Sequence, residues 1–338
     1  NATIDGGLAN KKDAAGESNG QGINTGLLPA WLGFTGTTRQ NDTDVSFTIS
    51  MQPNVSDQAI SGDVKVPLFR QSFITFGDKS WGTFKLGRDL GIFGSDAILS
   101  DMTLLGVGIG GAPGGSSTLG RIGSGYIYAD WKGQVSYASP NFNGFQISAG
   151  AMENFGQANQ SRKDLSYEAK VTYDFAASDV TGRIWVSGLS QKSEGLAAVS
   201  ATGLYAGASA ISTSNLGVAA VAAGNSYTSR GVDVGAKLTA GPATLVGYYY
   251  DGKGLDGQNV LQGIFNANGV KSDDDGGYVQ ATYALPTQTK LGVSFGRSNS
   301  KSPTQAFDFE NQSYVVGAYH PLTKHLNLVA EYTSQEVK

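Results

Sequence analysis

Apolar and polar residues alternate along most of this 338-residue chain. Residues 165–175, LSYEAKVTYDF, show the pattern most plainly. Leu165, Tyr167, Ala169, Val171, Tyr173 and Phe175 are apolar or aromatic, and Ser166, Glu168, Lys170, Thr172 and Asp174 between them are polar. A period of two places the two sets on opposite faces of a strand, one dry and one wet. The alternation recurs at 43–51, where Val45, Phe47, Ile49 and Met51 share a face. At 231–238 it opposes Val232, Val234, Ala236 and Leu238 to Asp233 and Lys237, and it returns at 290–295 and 326–333. Helical periodicity is confined to an Ala-rich piece near 194–211, so no helix layer is available to cover a sheet face.

The pattern predicts fifteen strands, over 2–9, 30–38, 43–52, 68–77, 81–89, 126–139, 145–153, 165–175, 180–190, 226–239, 243–251, 277–285, 289–297, 312–320 and 326–335. The links between them alternate. Short ones read RQND, DKS, PNFNG, AASD, GP, PTQ and PLTKH; long ones fill 10–29, 53–67, 90–125, 154–164, 191–225, 252–276 and 298–311. Tight turns at one end and long loops at the other are the plan of an up-and-down outer-membrane barrel. A closed sheet of about sixteen strands encloses more space than side chains can fill. Its interior holds water, so Glu168, Lys170, Asp174, Asp233, Lys237, Lys290 and Glu331 face inward, and the apolar set faces hydrocarbon. Phe142, Phe145, Tyr173, Phe175, Tyr283, Tyr319 and Tyr332 lie near strand ends, as interfacial girdles require. A soluble sandwich or propeller would need paired sheets or a blade repeat, and no repeat of about 40–50 residues is present.

Composition narrows the reading. Glycine, at 48 residues, is about twice its usual share of roughly 7%. With no cysteine there is neither a disulfide framework nor a thiolate metal site. A net charge of −4 argues against nucleic acid as a partner. No apolar run approaches the roughly 18 residues of a membrane helix, and mean hydropathy is slightly polar, as barrels with half-apolar strands also are. No signal-peptide pattern opens the chain, so a precursor's leader would already have been removed.

Three segments resemble the Gram-negative general porins: WGTFKLGRD (81–89), a Gly-aromatic strand ending in Gly-Arg; YASPNFNGFQISAG (137–150), a Tyr-x-Ser-Pro hairpin; and YVVGAYHPLTKHLNLVAEYT (314–333), the last periplasmic hairpin. Their order spans nearly the whole chain. The resemblance implies a homotrimer of 16-stranded antiparallel transmembrane β-barrels in the Gram-negative outer membrane. Each barrel would be a single all-β domain over 1–338 with a pore narrowed by its third long loop, here 90–125. Three departures matter. PAWLGFTG (29–36) stands where relatives often carry a wall arginine, and Asp130 falls about where another wall base is common; the third loop also lacks the usual Pro-Glu-Phe.

Folded into the lumen, the loop 90–125 sets a constriction, with Asp96 and Asp101 facing the bases Arg70, Lys85 and Lys132, and Asp130 beside Lys132. Opposed acids and bases across a narrow pore select by charge. Three bases against three acids give weak selectivity with a slight lean to cations. On the outer face Arg88 joins Phe84 and Leu86, and pairing with Asp57 or Asp63 of a neighbouring subunit is expected there. SDDDGG (272–277) lacks the ligand spacing of a calcium loop, and a solvated loop tip touching cation-bridged lipopolysaccharide is its simpler reading. His320 and His325 flank a periplasmic turn with no nucleophile or orienting acid in view. GVGIGGAPGG (106–115) has neither the context of a phosphate loop nor its Gly-Lys-Ser/Thr.

The expected function is passive diffusion of small hydrophilic solutes and ions, with no cofactor, metal or catalytic residue. The alternatives are a substrate-selective channel, or a barrel enzyme, which would need a Ser/His/acid group at the outer rim. Fifteen strands place Lys338 at the long-loop end and leave an odd count, so a final strand of about ten residues is expected beyond this sequence.

Overall fold

The computed structural model describes residues 4–13, 16–25, 28, 30–53, 58–59, 62–63, 69–105, 120–154, 160–161, 164–195, 226–255, 271–301 and 308–338. At the N-terminus β1 (Ile4–Asp13) and β2 (Gly16–Thr25) pair with each other as a separate two-stranded ladder. Then follow β3 (Leu32–Gln40), β4 (Thr43–Met51), the two-residue strands β5 (Gln58–Ala59) and β6 (Gly62–Asp63), β7 (Ser72–Asp78) and β8 (Gly82–Leu90). A short helix α1 (Ser95–Ser100) precedes β9 (Trp131–Ala138), β10 (Phe145–Glu153), β11 (Gln160–Ser161), β12 (Leu165–Ala177) and β13 (Val180–Gly195). The chain ends with β14 (Ser226–Ala240), β15 (Ala243–Lys253), β16 (Asp273–Ala284), β17 (Lys290–Lys301), β18 (Asp308–Thr323) and β19 (Leu326–Val337).

Fourteen of these form one antiparallel wall, running without a break from β3 to β19 in sequence order, with β11 added against β13. The tight turns of this wall, among the described residues, lie at one end. Gln40 pairs Thr43, Asp78 pairs Gly82, Ala177 pairs Val180 and Ala240 pairs Ala243. In the first of these turns Asn41 and Asp42 both have positive φ, 48° and 57°, the backbone that a two-residue hairpin needs to match strand twist. Lys338 lies at the opposite end, exchanging backbone hydrogen bonds with Glu310.

The wall's two faces answer to the alternation. On β12, Tyr167 is 62% and Val171 44% exposed, whereas Ser166 is 0% and Glu168 2% exposed. The apolar set therefore points out of the wall and the polar set points in, beneath the segment that follows β8. Aromatic residues gather at the tight-turn end: Phe145 stacks on Tyr173 at 4.2 Å, and Phe84 meets Phe76 at 5.4 Å and Tyr137 at 5.0 Å. Tyr319 departs from the expected girdle. It shares the inner face with Val315, is buried, and donates to Glu331 at 2.5 Å.

Element bounds differ from expectation where something other than alternation decides. Residues 16–25, GESNGQGINT, are a strand although they fall in an expected long link; glycine and small polar residues give them no dry face to read. Residues 126–130 are not strand, because Asp130 takes a positive φ of 58° and Tyr126, Ile127 and Ala129 are buried. The acids of SDDDGG belong to β16, not to a loop tip. Asp273 pairs with Lys253, Asp275 accepts from Asn299, and buried Asp274 accepts from the Leu255 N–H and the Ser272 and Ser300 hydroxyls. The Ala-rich piece near 194–211, most of 191–225 and 106–115 lie outside the described residues.

Candidate functional site

The site is the contact between the segment after β8, residues 91–105 and 120–130, and the inner face of the wall. Two buried wall acids hold its entry. Glu168 Oε2 accepts the Ile92 and Phe93 N–H groups at 2.7 and 2.8 Å, while its Oε1 accepts the Lys132 ammonium at 2.6 Å. Asp233 accepts the Gly94 N–H at 3.2 Å, the Ser187 N–H and hydroxyl at 2.9 and 2.6 Å, and the Tyr248 hydroxyl at 3.1 Å. A buried carboxylate is tolerable only when its lone pairs are filled in this way. Three successive backbone amides, 92 to 94, are thus fixed by side chains more than seventy residues away.

From there the segment crosses the wall. Asp96, on α1, pairs with Lys170 and with Arg183 at 3.1 Å; Arg183 also forks onto Asp174 at 2.6 and 2.7 Å. Tyr278 donates to the Ala97 carbonyl at 2.8 Å, and Gln280 bridges the Met102 N–H and Ser100 carbonyl at 2.7 and 3.1 Å. Farther on, Arg121 reaches the Ser294 hydroxyl at 3.0 Å and the Ser313 carbonyl at 2.6 Å, and Asn311 holds the Gly123 carbonyl at 2.7 Å. Beneath these contacts lies an apolar core in which Phe93, Ala97, Ile122, Tyr126 and Ile127 meet Trp185, Leu189, Tyr248, Tyr250 and Tyr278 of the wall. Trp185 lies flat over Gly235, where a Cβ would stand 2.1 Å from its ring. Any other residue at 235 would displace this platform.

The sequence-predicted residues fall out differently. Asp96 does face wall bases, but they are Lys170 and Arg183. Asp101 does not face the wall bases: it accepts the Thr103 N–H and hydroxyl at 2.9 and 2.7 Å, the Arg121 N–H at 3.1 Å and the Tyr126 hydroxyl at 2.9 Å, closing the segment on itself. Lys85 pairs with Asp89 on its own strand, and Lys132 with Glu168. Arg70 precedes β7 rather than lying in a strand, with its guanidinium 5.7 Å over Trp131; burial holds it below the ordinary arginine range. Burial also pushes the nearby Tyr128 phenol up to about 12. Asp130 caps the start of β9, its carboxylate accepting the Trp131 N–H at 2.7 Å and its carbonyl the Gly91 N–H at 2.8 Å. Arg88 is exposed on the outer face; Asp57 lies outside the described residues, and Asp63 is described only by its backbone in β6.

The anchors Glu168, Lys170, Arg183, Asp233, Tyr248 and Tyr278 were not singled out from sequence as holding this segment. A signal was present. On β13 Ile184, Trp185 and Val186 are apolar on both faces, and on β15 Val246, Tyr248 and Tyr250 face inward while Leu245 and Tyr249 face out. A strand apolar on both faces is covered on both. In a water-filled barrel that cover must come from a segment folded inside.

A wall of antiparallel strands with an apolar outer face, a polar inner face and a segment tethered within defines an outer-membrane β-barrel channel. The chain belongs to the family of Gram-negative porins, whose model matches residues 1–338. Among solved structures it is similar to the anion-selective porin from Comamonas acidovorans, at 17% identity over 99% of this chain and 87% of that one, with a TM-score of 0.64. It is similar also to the in-vitro folded, trimer form of the outer-membrane protein OmpT of Vibrio cholerae (14%, 99% and 86%, TM-score 0.62). The outer-membrane channel DcaP of Acinetobacter baumannii matches at 15% over 98% and 87%, TM-score 0.64. No curated protein matches the chain. Its place is the outer membrane, and its function is that of a pore for passive diffusion.

Proposed function

We propose that small hydrophilic solutes and ions pass through a lumen whose narrowest part is set by residues 91–105 and 120–130, in a homotrimer surrounded by outer-membrane lipid and lipopolysaccharide. The observation that carries this reading is the clamp of Glu168 and Asp233 on the amides of residues 92–94, which fixes the segment against the inner wall. The constriction is then a built element with a constant bore, and transport through it is sieving. The trimer form recorded for the Vibrio protein supports the assembly. A channel rather than an enzyme is favoured by where the histidines sit: His320 Nδ1 engages the Thr289 hydroxyl at 2.9 Å, and His325 lies in the turn after β18.

Selectivity follows from pairing. Asp96 and Asp101, the acids on which a lean to cations would rest, are both engaged. Most bases on the inner wall meet an acid, so the net field across the lumen is weak. Liposomes containing the purified protein are expected to swell in neutral sugars at rates that fall steeply with solute size. A rate independent of size, or saturable for one sugar alone, would overturn the sieving account in favour of a substrate-selective channel.

A further inference from the structure

Lys237 is an exception to the pairing of the inner wall. Arg39 meets Asp44 and Asp78, Lys85 meets Asp89, Lys132 meets Glu168, Lys170 meets Asp96, and Arg183 meets Asp174. Lys237 is exposed to the lumen and, among the described residues, has no hydrogen bond or ion pair. Its cross-strand neighbour on β13 is another base, Arg183, a pairing that sheets normally avoid. Lys290, at the start of β17, adds a third charge on the same inner face, with β15 and β16 between its strand and β14. The Lys290 ammonium is held 4.7 Å over the Tyr319 ring, and Glu331, the acid near it, already accepts the Tyr319 hydroxyl at 2.5 Å. Both lysines lie between the docked segment, which touches β14 at Asp233 and β17 at Ser294, and the tight-turn end of the wall.

We propose that Lys237 and Lys290 form an oxyanion-binding site in the lumen, on the tight-turn side of the constriction, that takes the carboxylate or phosphate group of small solutes. The proposal rests on the channel reading above. Like charges set in one band of a wall that pairs most of its other bases with acids leave a local positive potential, which a narrow, low-dielectric passage focuses on passing ions. An ammonium binds as a point charge with rotatable donors, so two on separate strands fit a group with several acceptor oxygens better than a bare halide. Weak selectivity of the whole lumen and local affinity for oxyanions are compatible, because the potential of exposed charges decays over about 10 Å at 0.1 M salt.

The test uses the full protein in planar bilayers, with reversal potentials across a potassium chloride gradient and inorganic phosphate or acetate then added to both sides. Phosphate and acetate are expected to reduce the chloride current in the wild type. In Lys237→Gln that inhibition is lost and the chloride-over-potassium permeability ratio falls about threefold, the order expected of one charge in a solvated site. Lys237→Arg should keep both properties, Lys237→Glu should lower the ratio further, and Lys290→Gln should weaken inhibition by the oxyanions. Inhibition by phosphate but not acetate would assign the site to phosphate groups, and by both to oxyanions generally. Conducting Lys237→Gln and Lys290→Gln channels with unchanged ratio and undiminished inhibition would overturn the proposal while leaving the channel reading intact. A wild type that forms no channels would instead overturn that reading, and the site with it.

Discussion

Glu168 has no exposed side-chain surface, nor has the Lys132 ammonium much: 0% against 3%. Such a pair contributes little net stability against an apolar alternative, but removing one member leaves an uncompensated buried charge at a cost of about 3–5 kcal/mol. Glu168→Gln also deprives the Ile92 and Phe93 amides of a charged acceptor. This variant is expected to unfold at lower denaturant than the wild type and to give noisier single-channel currents, because the segment loses its first anchor. Wild-type unfolding and quiet currents would show that the clamp does not hold the constriction. That Glu168 faces inward is legible from period two alone. Its partners, the amides of residues 92 and 93, are not, because no sequence pattern specifies which backbone a lumen acid meets.

At the scale of elements, alternation locates strands well and misjudges their ends. β12 and β15 lie close to expectation because a tight turn closes one end of each. β16 starts four residues early, since three successive acids read as a loop until Lys253, Leu255 and Asn299 supply partners. β9 starts five residues late, because the apolar run through Tyr126 and Ile127 packs in the segment's own core. The tight turns were the firmer signal, and they carry a prediction. Asp42 sits at φ 57° in the turn between β3 and β4. Asp42→Val forces a β-branched residue into the left-handed region, at about 1–2 kcal/mol. The expected result is a lower unfolding midpoint with unchanged conductance. An unchanged midpoint would mean that the β3–β4 turn is not held in that conformation.

For the whole molecule, the contacts of the proposed trimer belong on the outer face. Arg88 is exposed among the outward apolar residues Phe84, Ile74 and Val135. Placed against lipid, an arginine costs about 2–4 kcal/mol at mid-membrane and less near the rim, whereas a subunit contact offers it an acceptor. Arg88→Ala is therefore expected to lower the trimer's melting temperature in detergent without altering the fold of the monomer. An unchanged trimer melting temperature would place Arg88 away from the interface.

A continuous, water-filled lumen with a fixed constriction has a direct electrical signature in the single-channel conductance of the purified protein in planar bilayers. The predicted result is long-lived steps, in groups of three equal levels, whose size rises in proportion to the conductivity of the bathing potassium chloride. Protein that inserts into the bilayer yet gives no steps, or steps that do not grow with salt, would contradict it.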